Sequence, residues 1–316
     1  MTPPRGRYAP SPTGGLHLGN ARTALAAWLH TRWRQGVFVL RVEDLDRQRC
    51  KPDCAEINLR ELRWLGLDWD EGPDCGGHYG PYAQSQRTAY YHEVLERLRP
   101  QTFECYLSRR DLQELASAPH GPLEIYGPQE RARNQALRVE KISAGKPPAL
   151  RLFGPQHEIC FHDQLQGHQS WLVGDFILLR ADGEWAYQLA VVADDIAMGI
   201  DHVVRGDDLL ASTAAQIVLY RTLGAPIPDF LHLPLLFDSA GQRLSKRTGA
   251  LTLSALRAAG VRAPALVGLL GYSLGLLEKP EAVSLRELLS CYRPERLRRE
   301  PWWLSAADFS ALGMLL

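Results

Sequence analysis

Residues 7–9 read as a short strand stub, and residues 10–15, with two prolines and two glycines, as a loop. Residues 21–34 then follow a helical pattern rich in Ala and Leu. Gly36 precedes VFVLRV at residues 37–42, a continuous apolar run typical of a strand buried on both faces. That run leads directly into Glu43, Asp44 and Asp46. Two strands joined by a helix predict a βαβ crossover. Helical patterns follow at 55–65 and 87–98, separated by the GLDWDEG turn, and the second closes before Pro100. From 101 to about 184 the chain is polar and loop-rich, interrupted by Pro and Gly at APHGP, YGPQE and GKPP. This predicts an inserted domain of short helices and strands.

The buried apolar pattern returns at 187–195 (YQLAVVADD) and 202–204, and Gly206 precedes a helical pattern over 209–223 closed by Gly224. A short apolar segment at 231–237 leads through a DSAGQ turn to RLSKRTG, which reads as a loop. Beyond Thr252 the pattern is helical throughout, with the terminal LGMLL packing onto that part. No internal repeat or low-complexity tract suggests a solenoid or a long disordered tail.

Composition narrows the function classes. At 316 residues and 45% hydrophobic content, the chain can bury a full core in about two domains. Lys plus Arg and Asp plus Glu each total 36, so no overall basic excess advertises a polyanionic partner. A nucleic-acid site would have to be a local patch, such as Arg131, Arg133 and Arg138 or the Arg-rich run at 293–299, both of which have a plain alternative as solvated faces. The N-terminus lacks the apolar core of a signal peptide, and no run of about 18 apolar residues follows. A cytoplasmic protein with no membrane partner is expected. Six cysteines, at 50, 54, 75, 105, 160 and 291, are too sparse for a disulfide framework and are expected as free thiols.

Two segments carry candidate chemistry. In PSPTGGLHLGN, Gly14, Gly15 and Gly19 stand where a strand turns into a helix, so backbone and helix N-terminus can approach a phosphate. The residues alone also fit a Gly/Pro turn, with His17 as a surface residue at a helix start. The second segment places Arg243, Ser245, Lys246 and Arg247 on one loop, whose plain alternative is a solvated basic turn. Together, and in this order, HLGN and RLSKR resemble the HIGH and KMSKS signatures of class I aminoacyl-tRNA synthetases. RYAPSPTGGLHLGNARTAL, LRVEDLD, YQLAVVADD, VVRGDDLLASTAAQIVLYRTLG and RLSKRTG resemble the glutamyl-specific branch nearly phrase for phrase. The resemblance covers most of both catalytic halves and fades in the insertion.

The resemblance implies an α/β fold: a Rossmann-like catalytic domain in two halves, 1–100 and 185–250, an inserted α+β domain at 101–184, and a helical part at 251–316. It implies ATP, with Mg2+, and L-glutamate as substrates. Arg7, Tyr8, Ala9, Pro10, Ser11 and Glu43 would line the amino-acid pocket, completed by Tyr187 and Arg205. Glutamate has two carboxylates and one ammonium, so guanidinium forks and an anionic partner suit it. Arg205 is the candidate for the side-chain carboxylate and Glu43 for the ammonium, with structural ion pairing as the plain alternative for both. His17, Gly19, Asn20, Ser245 and Lys246 would form the ATP site, with His17 and Lys246 catalytic through hydrogen bonding and charge neutralisation. Gly19 would leave room for adenine against the backbone, or serve only helix packing.

Relatives hold zinc in the insertion through a CxC pair, a later Tyr and a fourth Cys; here only Cys105 and Tyr126 match. Leu107 cannot ligate, and Glu130 leaves an incomplete set, so no zinc is expected. His120, Cys160 and the Cys50, Cys54 and Cys75 group make no better site. The length resembles a shortened branch lacking an anticodon-binding region, which attaches glutamate to the queuosine base of tRNA(Asp); a monomer is expected. Three alternatives stay open: a truncated glutamyl-tRNA synthetase charging the acceptor end, a catalytically idle tRNA-binding homologue, and a generic nucleotide transferase.

Overall fold

The computed structural model describes residues 3–108, 111, 126–238, 241 and 251–313. Strands β1 (Arg5–Tyr8) and β2 (Val37–Leu40) pair in parallel, Arg5 opposite Val37 through Tyr8 opposite Leu40. Helix α1 (Leu18–Trp33) is their crossover. It begins three residues before the pattern at 21 because His17 caps it, its Nδ1 accepting from Gly19 N (3.1 Å) and Asn20 N (3.4 Å). Its residues are buried on nearly every side, which is why its periodicity is weak.

The main sheet has the order β2-β1-β8-β9-β5-β6, adding β8 (His202–Gly206), β9 (Asp229–Leu233) and a hairpin of β5 (His157–Asp163) and β6 (Gly167–Val173). β8 runs parallel to β1 and β9, and β5 joins β9 in parallel through Asp163 opposite Phe230. Alternating side chains feed two cores on opposite faces. Phe38, Leu40, Val204 and Leu231 meet α1, α2 (Pro52–Trp64) and the C-terminal helices. Val39, Val203 and Phe230 meet α3 (Thr88–Leu98), α5 (Tyr187–Ala197) and α6 (Leu210–Thr222). The apolar run at 187–195, which periodicity alone does not assign to strand or helix, is the body of α5.

The segment 101–184 serves two sheets. β3 (Thr102–Cys105), β4 (Ala149–Leu152) and β7 (Phe176–Leu179) form a small antiparallel sheet, with α4 (Pro128–Ser143) in the same segment. The intervening β5–β6 hairpin belongs to the main sheet, so the span read as one insertion is divided between both. The C-terminal part contains α7 (Leu253–Ala258), α8 (Ala263–Ser273), α9 (Leu285–Cys291) and α10 (Ala306–Ala311). It is not helical throughout. β11 (Trp302–Trp303) pairs in parallel with β10 (Leu236–Phe237), and Phe237 and Trp303 stack at 5.8 Å between centroids. The final LGMLL is described only as far as Gly313, with Leu312 buried. All six cysteines are free thiols. Among the described residues no helix is long and apolar enough to cross a membrane.

Candidate active site

From β1 the chain steps to β2 on one side, while β8 lies on the other. This reversal is the place where open α/β sheets bind ligands, beyond the carboxyl ends of their strands. A cavity of about 450 Å³ opens there. It collects Arg7, Tyr8, Ala9, Pro10, Ser11, His17, Gly19, Asn20, Glu43, Tyr187 and Arg205. Every candidate for the glutamate and ATP sites within the described residues thus lines one space. Ser245 and Lys246, with Arg243, Arg247 and His120, lie outside the described residues.

At the phosphate-type loop, His17 is more than a surface residue. Because its Nδ1 accepts two backbone N–H groups, its proton sits on Nε2. Asn20 closes the reciprocal bond, its Oδ1 accepting from His17 N at 3.2 Å, so its amide oxygen serves the cap. Two N–H groups of the helix start are therefore already engaged. A Cβ on Gly19 would lie 3.0 Å from His17 Cε1 and 3.1 Å from its Nδ1, so this glycine makes room for the capping imidazole. Tyr8 also lines the cavity, and its hydroxyl donates to Asn20 O at 3.2 Å.

One residue that sequence patterning passes over holds this loop in place. Buried Glu61 of α2 accepts from Leu16 N at 2.7 Å and Ser254 N at 3.0 Å, and from the Ser254 hydroxyl. Leu253 N also donates to Leu16 O at 2.8 Å. The HLGN loop is thereby fastened to the start of α7.

Beneath the amino-acid side of the cavity lies a buried charge network. Arg41 donates to Asp195 Oδ1 (2.7 Å) and Glu43 Oε1 (3.1 Å), and its Nε lies 3.6 Å from Asp194 Oδ2. Arg7 meets both Asp195 oxygens at 3.3 Å. Arg87, Gln84 and Tyr91 complete the shell of Asp194 at 2.6, 2.8 and 2.9 Å. Burial opposes ionisation of Asp195, but Arg7 and Arg41 outweigh it and hold its carboxyl below the usual range. For Glu43 burial wins over Arg41 and Arg7, and its carboxyl is raised. In the sequence the only mark of this role is that Asp194 and Asp195 are acidic residues closing an otherwise apolar run.

In this network Arg7, Arg41 and Arg87 match Asp194, Asp195 and Glu43 in charge. Arg205 is additional. Its Nε donates to His232 Nε2 (3.0 Å) and its Nη2 to Thr213 Oγ1 and Gln216 Oε1 (both 2.7 Å), all neutral groups. Among the described residues no carboxylate pairs with it, and its buried Nη1 has no partner. A buried guanidinium left this way favours an anionic ligand. Burial lowers its pKa, with Arg7 acting in the same direction and Tyr187 against it. Tyr187 sits on the first turn of α5 at the cavity wall, its side chain partly exposed.

A family profile described as tRNA synthetases class I (E and Q), catalytic domain, matches residues 5–302. The chain belongs to that family. The glutamyl-Q tRNA(Asp) synthetase of Symbiobacterium thermophilum is 51% identical to this synthetase, over 98% of both chains. The glutamate–tRNA ligase of Sulfurihydrogenibium sp. is 39% identical over 94% of this chain, which spans 64% of the ligase. Among solved structures, a glutamate tRNA ligase from Elizabethkingia meningosepticum in complex with its amino acid superposes with a TM-score of 0.84 at 28% identity. That match covers 97% of this synthetase and 68% of the ligase.

The region where the resemblance places a zinc site is built around other contacts. Cys105, Leu107 and Tyr126 form a small apolar cluster in which the thiol donates to the Tyr126 hydroxyl at 3.5 Å. The Glu130 carboxylate accepts from Gly127 N at 2.7 Å and caps α4. These donors do not fit a tetrahedral zinc. Arg131 is committed to Asp175 at 2.6 and 2.9 Å, and Arg138 to Glu104 at 3.1 Å, which favours structural roles for both over open RNA contacts.

Proposed function

We propose that the protein activates L-glutamate with ATP to glutamyl-adenylate and transfers the glutamyl group to the queuosine base of tRNA(Asp). The observation that carries the amino-acid part is Arg205: a buried cation on the cavity wall, held by neutral groups, beside a network whose own charges balance. It takes the side-chain carboxylate, while Glu43 faces the ammonium, whose arrival favours the ionised form of the raised carboxyl.

The glutamate α-carboxylate then attacks the α-phosphorus of ATP and pyrophosphate leaves. Charge grows on the phosphoryl oxygens, and positioned donors supply most of the acceleration. His17 offers Nε2–H at the start of α1, and Lys246 neutralises the departing pyrophosphate. Mg2+ arrives with the triphosphate as part of that substrate. In the second step a hydroxyl of the RNA attacks the acyl carbon and AMP leaves.

The queuosine acceptor is supported by the higher identity to the glutamyl-Q relative than to the glutamate–tRNA ligase, 51% against 39%. The test is to incubate the protein with ATP and radiolabelled glutamate and offer, separately, tRNA(Asp) with queuosine, tRNA(Asp) without it, and unmodified tRNA(Glu). Label that requires queuosine supports the proposal. Label on the terminal ribose of unmodified tRNA(Glu) replaces it with acceptor-end charging, and failure to form adenylate removes both.

A further inference from the structure

We propose that Asp163 and His232 are positioning residues of the amino-acid pocket, together presenting Arg205 to the substrate carboxylate without neutralising it. The proposal rests on the assignment of Arg205 made above. His232, on β9, and Asp163, at the end of β5, are both fully buried. Asp163 Oδ2 lies 2.6 Å from His232 Nδ1, and His232 Nε2 lies 3.0 Å from Arg205 Nε. A guanidinium can only donate, so Nε2 must be bare and the imidazole proton must sit on Nδ1, facing the carboxylate. The same Asp163 carboxylate accepts from the backbone N–H of Leu165 (3.0 Å), Gln166 (2.8 Å) and His232 (3.1 Å). Gln166 Nε2 returns a bond to His232 O at 3.1 Å. The turn of the hairpin thus grips His232 by ring and backbone.

This arrangement meets a particular requirement. A carboxylate placed directly on Arg205 would orient it but would also compete with the substrate for its charge. Interposing a neutral imidazole transmits the orientation from Asp163 and leaves the guanidinium charge unspent. Thr213 and Gln216 of α6, also neutral, hold the adjacent Nη2 and leave Nη1 unengaged. The charged groups facing His232 are Asp163 from β5, Arg205 from β8 and Arg7 from β1. Burial lowers the His232 pKa, and the two arginines add to this against Asp163, so the ring stays neutral and able to accept.

The experiment is glutamate-dependent ATP–pyrophosphate exchange with the full chain, measuring KM for glutamate and for ATP separately. In Asp163→Asn the amide can turn a donor toward the ring and shift the proton to Nε2, setting two donors against each other, as when the aspartate of a Ser-His-Asp triad is replaced by Asn. The glutamate KM should rise about tenfold to a hundredfold while the ATP KM stays within about twofold. His232→Gln, whose amide oxygen can accept from Arg205, should be less impaired in glutamate KM than His232→Ala. An unchanged glutamate KM in Asp163→Asn, an equal rise in both KM values, or equal defects in the two His232 variants would overturn the proposal. Arg205→Ala is run alongside. If it leaves the glutamate KM unchanged, the assignment of Arg205 itself fails; if it raises that KM while Asp163→Asn does not, only the positioning role fails.

Discussion

Arg205 shows how a residue's surroundings decide its use. Arg7, Arg41 and Arg87 are paired with carboxylates; Arg205 is held by a ring nitrogen, a hydroxyl and an amide, which leaves its charge available. Arg205→Lys keeps the charge but loses the fork. It should raise the glutamate KM by about tenfold or more with little change in the ATP KM, as read by pyrophosphate exchange. His17 is proposed to serve the other substrate. His17→Ala removes both the Nε2 donor and the cap of α1, so kcat should fall about 10²–10³-fold, with a stability loss of about 1 kcal/mol in urea titration. A rate defect below about tenfold would mean that the imidazole only caps the helix. The family phrases named residues that the fold brings to one cavity. Their hydrogen-bonding duties were not legible in the sequence: that His17 turns Nδ1 inward and that Asn20 spends its oxygen on the cap depend on geometry no periodicity encodes.

At the level of elements, the acidic pair on α5 supports the floor of the site. Asp195 accepts from Arg7 and Arg41, two guanidinium groups brought by adjacent strands. Asp195→Asn leaves that pair of cations under-compensated in a buried setting, and stability should fall by about 3–5 kcal/mol in urea titration. A loss below about 1 kcal/mol would show that solvent reaches the network. The strands and helices of the two catalytic halves were readable because strands buried on both faces and closed by glycine leave plain patterns, as at 37–42 and at Gly224. The hairpin was not, since its pattern alternates between exposed and buried positions and reads as part of a polar insertion. The β10–β11 pair was also missed: a two-residue strand is fixed by a partner 66 positions away, Leu236 opposite Trp302. Local sequence carries no trace of such a partner.

Across the whole molecule, burial of histidine sets the response to acid. His30 is lowered to about 3 by burial, with His202 and Arg34 adding to that effect, and His202 and His232 are also lowered, burial being the largest cause in each. Unfolded histidine takes up its proton near pH 6.5 while these folded rings do not, so the unfolded state binds more protons below that point. Stability should be full above about pH 6.5 and decline as pH falls from there toward about 3, before the depressed carboxyl of Asp195 adds its own loss below about pH 4. Thermal unfolding followed from pH 7.5 to 5 would show this as a falling Tm; a flat profile would mean that these rings are hydrated enough to protonate in place. The division of 101–184 between two sheets bears on how such a chain can be recombined. β3 and β4 precede the hairpin and β7 follows it, so a cassette exchanged at 101 and 184 would carry Asp163 away with the small sheet. A chimera cut at those points inherits the donor's β5, and with it the donor's support for the amino-acid pocket.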